Sequence, residues 1–319
     1  MVQLLCHSER GVIVLFILSC ESTVDLPWAY VQSRDISVIE YSYLIDGQEY
    51  PDDMGRHPGS MARFYQFLEE GAMPKTSQLT EMAYEAYFES LLQKGDVLHL
   101  GFGTGMTPSI LNGIAAAEKL REKYPDRQIV VIDTTCSSSG YGMLVDDAAD
   151  LRDAGKGIDE IVDWVNYNCR RLHHQFFSTT LRFYRRSGRI SGPAASLGTL
   201  LSICPIMRLD YDGRIVAYNK VRTKKNAMIR TAEEMEQHAE NGRNYNRKCW
   251  ICHSNCLPVA LQMKQILKER FPHIDGEIRI CDIGTIIASH CGPGTVAIFF
   301  YGDERPAMEQ NQQKDGDSN

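Results

Sequence analysis

The sequence predicts an α/β protein in two parts. Residues 1–170 form an N-terminal domain with a mostly parallel sheet and helices on both faces, and residues 171–302 a smaller mixed α/β domain. Three observations predict this. Short apolar runs alternate with helix-spaced segments through the first half, the pattern of βαβ units. A turn signal at Asp212-Gly213 separates two strand-like stretches in the second half. The chain has 319 residues, 43% hydrophobic and 24% charged, which gives a substantial core without metal or disulfide support.

The elements follow in order. Val12–Leu18 reads as a buried first strand, and Val97–Leu100, Ile129–Ile132, Trp250–Cys252, Ile278–Ile283 and Val296–Phe300 as later ones. Thr80–Gln93 and Pro258–Phe271 have helical spacing; Val259, Met263, Ile266 and Leu267 share one face. Gly140–Ala154 and Asp159–Cys169 are two further helices broken at Gly155-Lys156-Gly157. Apolar content stops after Asp303, so 303–319 reads as a disordered tail. There are no internal repeats.

Charge and cysteine usage narrow the function. The net charge is −7, yet the stretch from Arg182 to Arg230 holds eleven Lys/Arg against Asp210 and Asp212. That stretch attracts phosphate, carboxylate or an acidic protein face. The acidic remainder would repel a polyanion, so no nucleic-acid partner is expected. Ten cysteines without a repeating framework suit reduced thiols and a cytoplasmic location. Gly11–Cys20 ends like a lipoprotein cleavage site, but its leader has one Arg, no Lys and a Glu, which favours the strand reading.

Three motifs carry chemistry. Gly101-Phe102-Gly103-Thr104-Gly105 lies between a strand and a helix. Its spacing is not G-x-G-x-x-G, and the next strand-end acid, Asp133, is too distant for a dinucleotide site. A small-residue loop with hydroxyls at Thr104, Thr107 and Ser109 still makes a cradle for a small anion. An autonomous nucleotide-dependent enzyme using this loop is the alternative reading. Cys249-Trp250-Ile251-Cys252-His253 matches the c-type haem pattern, but it sits in a β-forming apolar stretch, and buried core cysteines explain it. No metal or cofactor is expected. Ser289-His290-Cys291-Gly292-Pro293-Gly294-Thr295 reads as a Gly/Pro-rich bend that aims His290, either as an anion or proton partner or as a structural residue.

Seven segments in this order resemble the DegV family: Glu21–Pro27, Leu44–Asp52, Lys75-Thr76-Ser77-Gln78, Val131–Thr134, Ser187-Gly188-Arg189-Ile190-Ser191, Lys220-Val221-Arg222 and His290–Thr295. The resemblance covers about residues 12 to 302 and implies a bacterial, cytoplasmic lipid-binding protein of EDD type. Such a protein encloses one long-chain fatty acid and catalyses nothing itself. A separate fatty acid kinase catalytic subunit phosphorylates the presented carboxylate to acyl phosphate, and transient exchange with a membrane is possible. By the same resemblance, Thr76, Thr104 and His290 hold the carboxylate, while Arg189 and Arg222 face the kinase. The sequence departs from the family at Gly103–Ser109, which replaces S-S-x-L-S-G-T, at Ser202–Pro205, which lacks a lysine, and at Glu21, where an Asp is usual.

Overall fold

A computed structural model describes residues 16–190 and 203–307. Three sheets organise them. The first is wholly parallel, in the order β2 (Ile36–Ile39), β1 (Ile17–Glu21), β6 (Val97–Gly101), β7 (Ile129–Asp133). Every residue of β6 is buried, as a central strand covered on both faces requires. Around this sheet lie α1 (Trp28–Ser33), α3 (Glu81–Leu92) and α4 (Ser109–Lys123), with α3 and α4 packed on each other. A small antiparallel sheet that the sequence reading missed joins β3 (Ser42–Ile45), β4 (Gln48–Pro51) and β5 (Lys75–Thr76), with α2 (Ser60–Glu69) between the last two in the chain.

The second large sheet is mixed, as expected, but has six strands and is not the smaller one. Its order is β10 (Ile215–Arg222), β9 (Ile203–Leu209), β8 (Leu172–Ser178), β13 (Thr295–Tyr301), β11 (Trp250–His253), β12 (Arg279–Asp282). β9 and β10 are the antiparallel pair around Asp212-Gly213, and only β11 and β12 run parallel. β8 escapes a hydropathy reading because its sequence, LHHQFFS, looks polar, yet all seven residues are buried. Helices α7 (Arg182–Arg186), α8 (Lys224–His238), α9 (Leu257–Arg270) and α10 (Thr285–Cys291) complete this half, and α6 (Ile158–Asn168) leads into it.

Helix α5 (Ser138–Asp153) links the two halves: it contacts the turn after β1 and also β8, β11 and β13. Two glycines make the fit. A Cβ on Gly140 would lie 2.5 Å from His174 Nε2 and Phe299 Cδ1, and one on Gly142 would lie 2.5 Å from the Val24 carbonyl. Mid-helix glycine costs about 1 kcal/mol against alanine, which close backbone approach offsets here.

Two boundaries are corrected. The first strand begins at Ile17 rather than Val12, because pairing with Ile36–Ile39 and Val97–His99 fixes Ile17–Glu21; residues 12–15 lie outside the described residues. Residues 303–307 are not loose. Asp303 meets His173, and the buried Arg305 guanidinium donates to the Thr135 carbonyl at 3.0 Å and hydroxyl at 2.5 Å. The rest of the expected tail, with residues 1–10, Ser191 and Ser202, lies outside the described residues.

Candidate functional site

Between the two large sheets lies a cavity of about 1040 Å³, counted out to its open mouth. Its walls are apolar: Phe102 after β6, Phe176 on β8, Tyr184 on α7, Ile286 and Ile287 on α10, Phe299 on β13. Polar groups gather where the segment after β5 meets α10 and the end of α7: Thr76, Ser77, Gln78, Thr107, Arg189 and His290. A mostly apolar interior with a cluster of polar groups suits a ligand that is mostly hydrocarbon with one polar end.

His290 sits in the last turn of α10, not in a bend as the sequence suggested. Gly292, at φ +65°, ends the helix; a Cβ there would meet Phe183 at 2.2 Å. The helix is anchored at its start, where the Thr285 hydroxyl donates to Asp52 Oδ1 at 2.8 Å. These constraints bring His290 Nε2 within 2.8 Å of Thr76 Oγ1, two residues 214 apart in the chain. The other ring nitrogen, Nδ1, is buried and has no hydrogen-bond partner among the described residues. Burial, with the charges of Arg189 and Arg186, pushes the His290 pKa down to about 4. The ring is therefore neutral near pH 7. One donor of the Thr76–His290 pair is then unused within the pair: the Thr76 O–H when Nε2 carries the proton, and the buried Nδ1–H when it does not.

Arg189 supplies the charge that His290 lacks. It lines the cavity and also an outer basin with Gly105, Gly188 and Arg214, so the residue borders both. Its Nε donates to the Met106 carbonyl at 3.2 Å and one terminal nitrogen to the Ser187 carbonyl at 2.5 Å. Arg186, a residue the motif reading left without a role, donates to the Pro74 carbonyl at 2.7 Å and so ties α7 to the strand carrying Thr76. Arg222 is exposed at the end of β10, away from this cluster of polar lining residues.

Thr104 departs from the expectation. It does not line the cavity; its hydroxyl donates to Asp133 Oδ2, and its backbone N–H reaches Asp133 Oδ1 at 3.1 Å. Ser109 is also committed, its Oγ accepting from Leu79 N at 3.0 Å. Of the three loop hydroxyls only Thr107 faces the cavity. The glycines beside them are required by packing. A Cβ on Gly103 would lie 2.8 Å from the Thr135 carbonyl carbon, and one on Gly105 would lie 2.3 Å from the Gly213 backbone. Glu21, fully buried, accepts from the Tyr84 hydroxyl and from Phe102 N at 3.0 Å, which holds the start of this loop against the cavity. At the far side His174 is fixed as a neutral tautomer: Nδ1–H donates to the Leu172 carbonyl at 3.0 Å, and Nε2 accepts from Ser137 N at 3.1 Å. Burial, then the Arg305 charge, holds its pKa well below the usual value.

The haem-like pattern resolves into core. Cys249 and Cys252 are buried free thiols beside or within β11, and burial raises both well above the usual thiol range.

Comparison with known proteins agrees with this architecture. A DegV domain-containing protein of Clostridium perfringens is 35% identical over 291 residues, which span 91% of this chain and 98% of that one. A crystal structure described as a fatty acid binding DegV family protein from Streptococcus agalactiae is 26% identical. It superposes with a TM-score of 0.76 over 91% of this chain and 99% of that one. A Thermus thermophilus structure described by its fatty acid binding is also 26% identical, with a TM-score of 0.75 over 90% of this chain and 99% of that one. Residues 18–303 match the family described as "Uncharacterised protein, DegV family", and the chain belongs to the DegV family.

Proposed function

We propose that this protein binds one long-chain fatty acid in the cavity between its sheets and presents the carboxylate to a separate kinase subunit, which forms the acyl phosphate. The observation that carries the reading is the closure of an apolar cavity by the Thr76–His290 pair and Arg189. Burying about fifteen methylenes at about 0.8 kcal/mol each gives a gross driving force near 12 kcal/mol before ordering costs. A carboxylate carried inside with the chain needs donors and a positive charge. The neutral His290–Thr76 pair offers a donor, and Arg189 offers the charge.

In this reading Arg189 serves both steps, because it touches the cavity and the outer basin. Arg222, exposed on β10, serves only the partner. The glycines of the 101–105 loop have packing reasons to be there, which leaves the nucleotide-dependent alternative without its motif. The protein acts in the cytoplasm and exchanges its acid transiently with a membrane surface; no helix among the described residues is long and apolar enough to cross one.

The test is native mass spectrometry of delipidated protein incubated with oleate, followed by incubation with ATP and a fatty acid kinase subunit, with acyl phosphate trapped by hydroxylamine. One acyl chain per protein and hydroxamate formation only with the kinase are expected. A protein that takes up no fatty acid defeats the binding step. A loaded protein from which no such kinase forms acyl phosphate defeats the presentation step alone. Arg222→Ala should keep the bound acid and lower hydroxamate yield at least several-fold.

A further inference from the structure

The structure assembles His173, His238 and Asp303 from three separate stretches of chain, and we propose that they form a binding site for one divalent transition-metal ion of the zinc class. A nitrogen from each imidazole and a carboxylate oxygen lie within 4.8 Å of one another. The carboxylate sits astride the two rings: Asp303 Oδ1 is 2.9 Å from His173 Nε2, and Oδ2 is 3.1 Å from His238 Nδ1. Two imidazoles with one carboxylate form a donor set suited to zinc and its first-row neighbours rather than to magnesium or calcium.

The backbone fixes all three donors before any ion arrives. His173 lies on β8 opposite Phe300 of β13. Asp303 follows β13 directly, and its N–H donates to the His238 carbonyl at 3.1 Å. Ala239 and Gly302 form a bridge that locks the end of α8 to the end of β13. The rings themselves are held by stacking, His173 on Phe300 with centroids 5.0 Å apart and on His238 at 5.2 Å. An outer carboxylate is in place as well: Glu234 Oε2 lies 3.7 Å from His238 Nε2, the nitrogen that would remain protonated when Nδ1 binds a metal. Without an ion, His173 Nε2–H donates to the Asp303 carbonyl at 2.9 Å as well as to its carboxylate, so zinc would displace that proton and hold each ring in its other neutral tautomer.

A second cluster, Asp146, Asp147 and Asp150, marks the contrast. It already holds the Lys248 ammonium at 2.8, 2.7 and 2.5 Å, and the Arg34 guanidinium pairs with Asp146 and Asp150, so cationic side chains of the protein already occupy it. At the histidine site the ligand carboxylate is exposed, and His238 is half-buried, so an ion has a way in. The site lies on the opposite face of the sheet from the cavity: His174 and Phe299 face the acyl site, while their neighbours His173 and Phe300 face the metal site. Metal binding is therefore separable from lipid binding.

The experiment is calorimetric titration of the full chain, stripped with chelator and reduced, with zinc chloride, repeated for His238→Ala, Asp303→Asn and a control in the exposed His273→Ala. Cobalt(II) absorption identifies the donors. One equivalent of zinc is expected for the wild type and His273→Ala. Affinity should fall at least tenfold in His238→Ala and Asp303→Asn, with unchanged oleate binding and circular dichroism showing that both variants fold. The cobalt spectrum should show ligand-field bands without a thiolate charge-transfer band. Absence of stoichiometric zinc, equal affinity in all four proteins, or a thiolate band would each overturn the assignment.

Discussion

His290 puts its imidazole into a wall that already holds Arg186 and Arg189, so an added proton meets two guanidinium groups and little water. Its folded pKa of about 4 lies below the ordinary histidine value, so the unfolded chain takes up a proton first as the pH falls. The ring's contribution to stability is full above about pH 6.5 and is lost as the pH falls toward 4, by at most about 3 kcal/mol. Denaturant unfolding at pH 7.5, 5.5 and 4.5 checks this: His290→Gln should flatten the decline between the first and last of these. A slope equal to the wild type's would show that the proton goes elsewhere. For ligand capture, His290→Ala should weaken oleate retention about tenfold or more, since a hydrogen bond to a charged group contributes about 1.5–3 kcal/mol. Displacement of a fluorescent fatty acid measures it. Thr76 and His290 were legible in the sequence as parts of short motifs, although their meeting was not. Thr104 misled because a hydroxyl in a glycine-rich loop looks available until its carboxylate partner, Asp133, 29 residues on, is seen to hold it.

The loop between β6 and α4 is pressed into place from two sides. Gly105→Ala would drive a methyl into the backbone of the Asp212-Gly213 turn, and neither main chain can swing away as a flexible side chain could. The expected destabilisation is about 1–3 kcal/mol, the range for overpacking, with a lowered urea midpoint. Gly157→Ala, with nothing within 4 Å of its Cβ position, is the control and should change stability by less than about 1 kcal/mol. Helices α3, α5, α6 and α9 and the apolar strands β6 and β7 could be read from periodicity, whereas α4 and α8, of 15 residues each, and β2 were not. α10 could not, because seven residues span two turns and leave no pattern to recognise. β8 was hidden by His173, His174 and Gln175, most of whose polar atoms find partners inside the fold, although Gln175 Nε2 has none among the described residues. His174 bonds backbone at both nitrogens, and Gln175 accepts from the Tyr218 hydroxyl at 2.8 Å. The metal cluster was invisible for a related reason, since its three donors come from three elements and no spacing rule joins them.

Across the whole molecule, the cavity is a gap in what would otherwise be continuous core between the sheets, so occupancy and stability are linked. Delipidated protein should melt several degrees below the oleate-loaded form, because a ligand at 100 times its Kd adds about 2.7 kcal/mol. Differential scanning calorimetry checks this, and identical melting temperatures would mean that the acid is not held in the core. Alternation of strands and helices made the two-part architecture legible, but the relative size of the parts was not, because a polar strand such as β8 carries a weak signal.

Helix α5 has a practical corollary. Twelve of its sixteen residues are buried, and part of that cover comes from β8, β11 and β13, all later than residue 171 in the chain. Severing the polypeptide between Asn168 and Leu172 leaves the earlier fragment with a bare greasy helix face, and the later fragment with a sheet that has lost its lid. Neither piece should express in soluble form alone, and co-expression of both should restore a complex. The two halves share a seam and have to be made together.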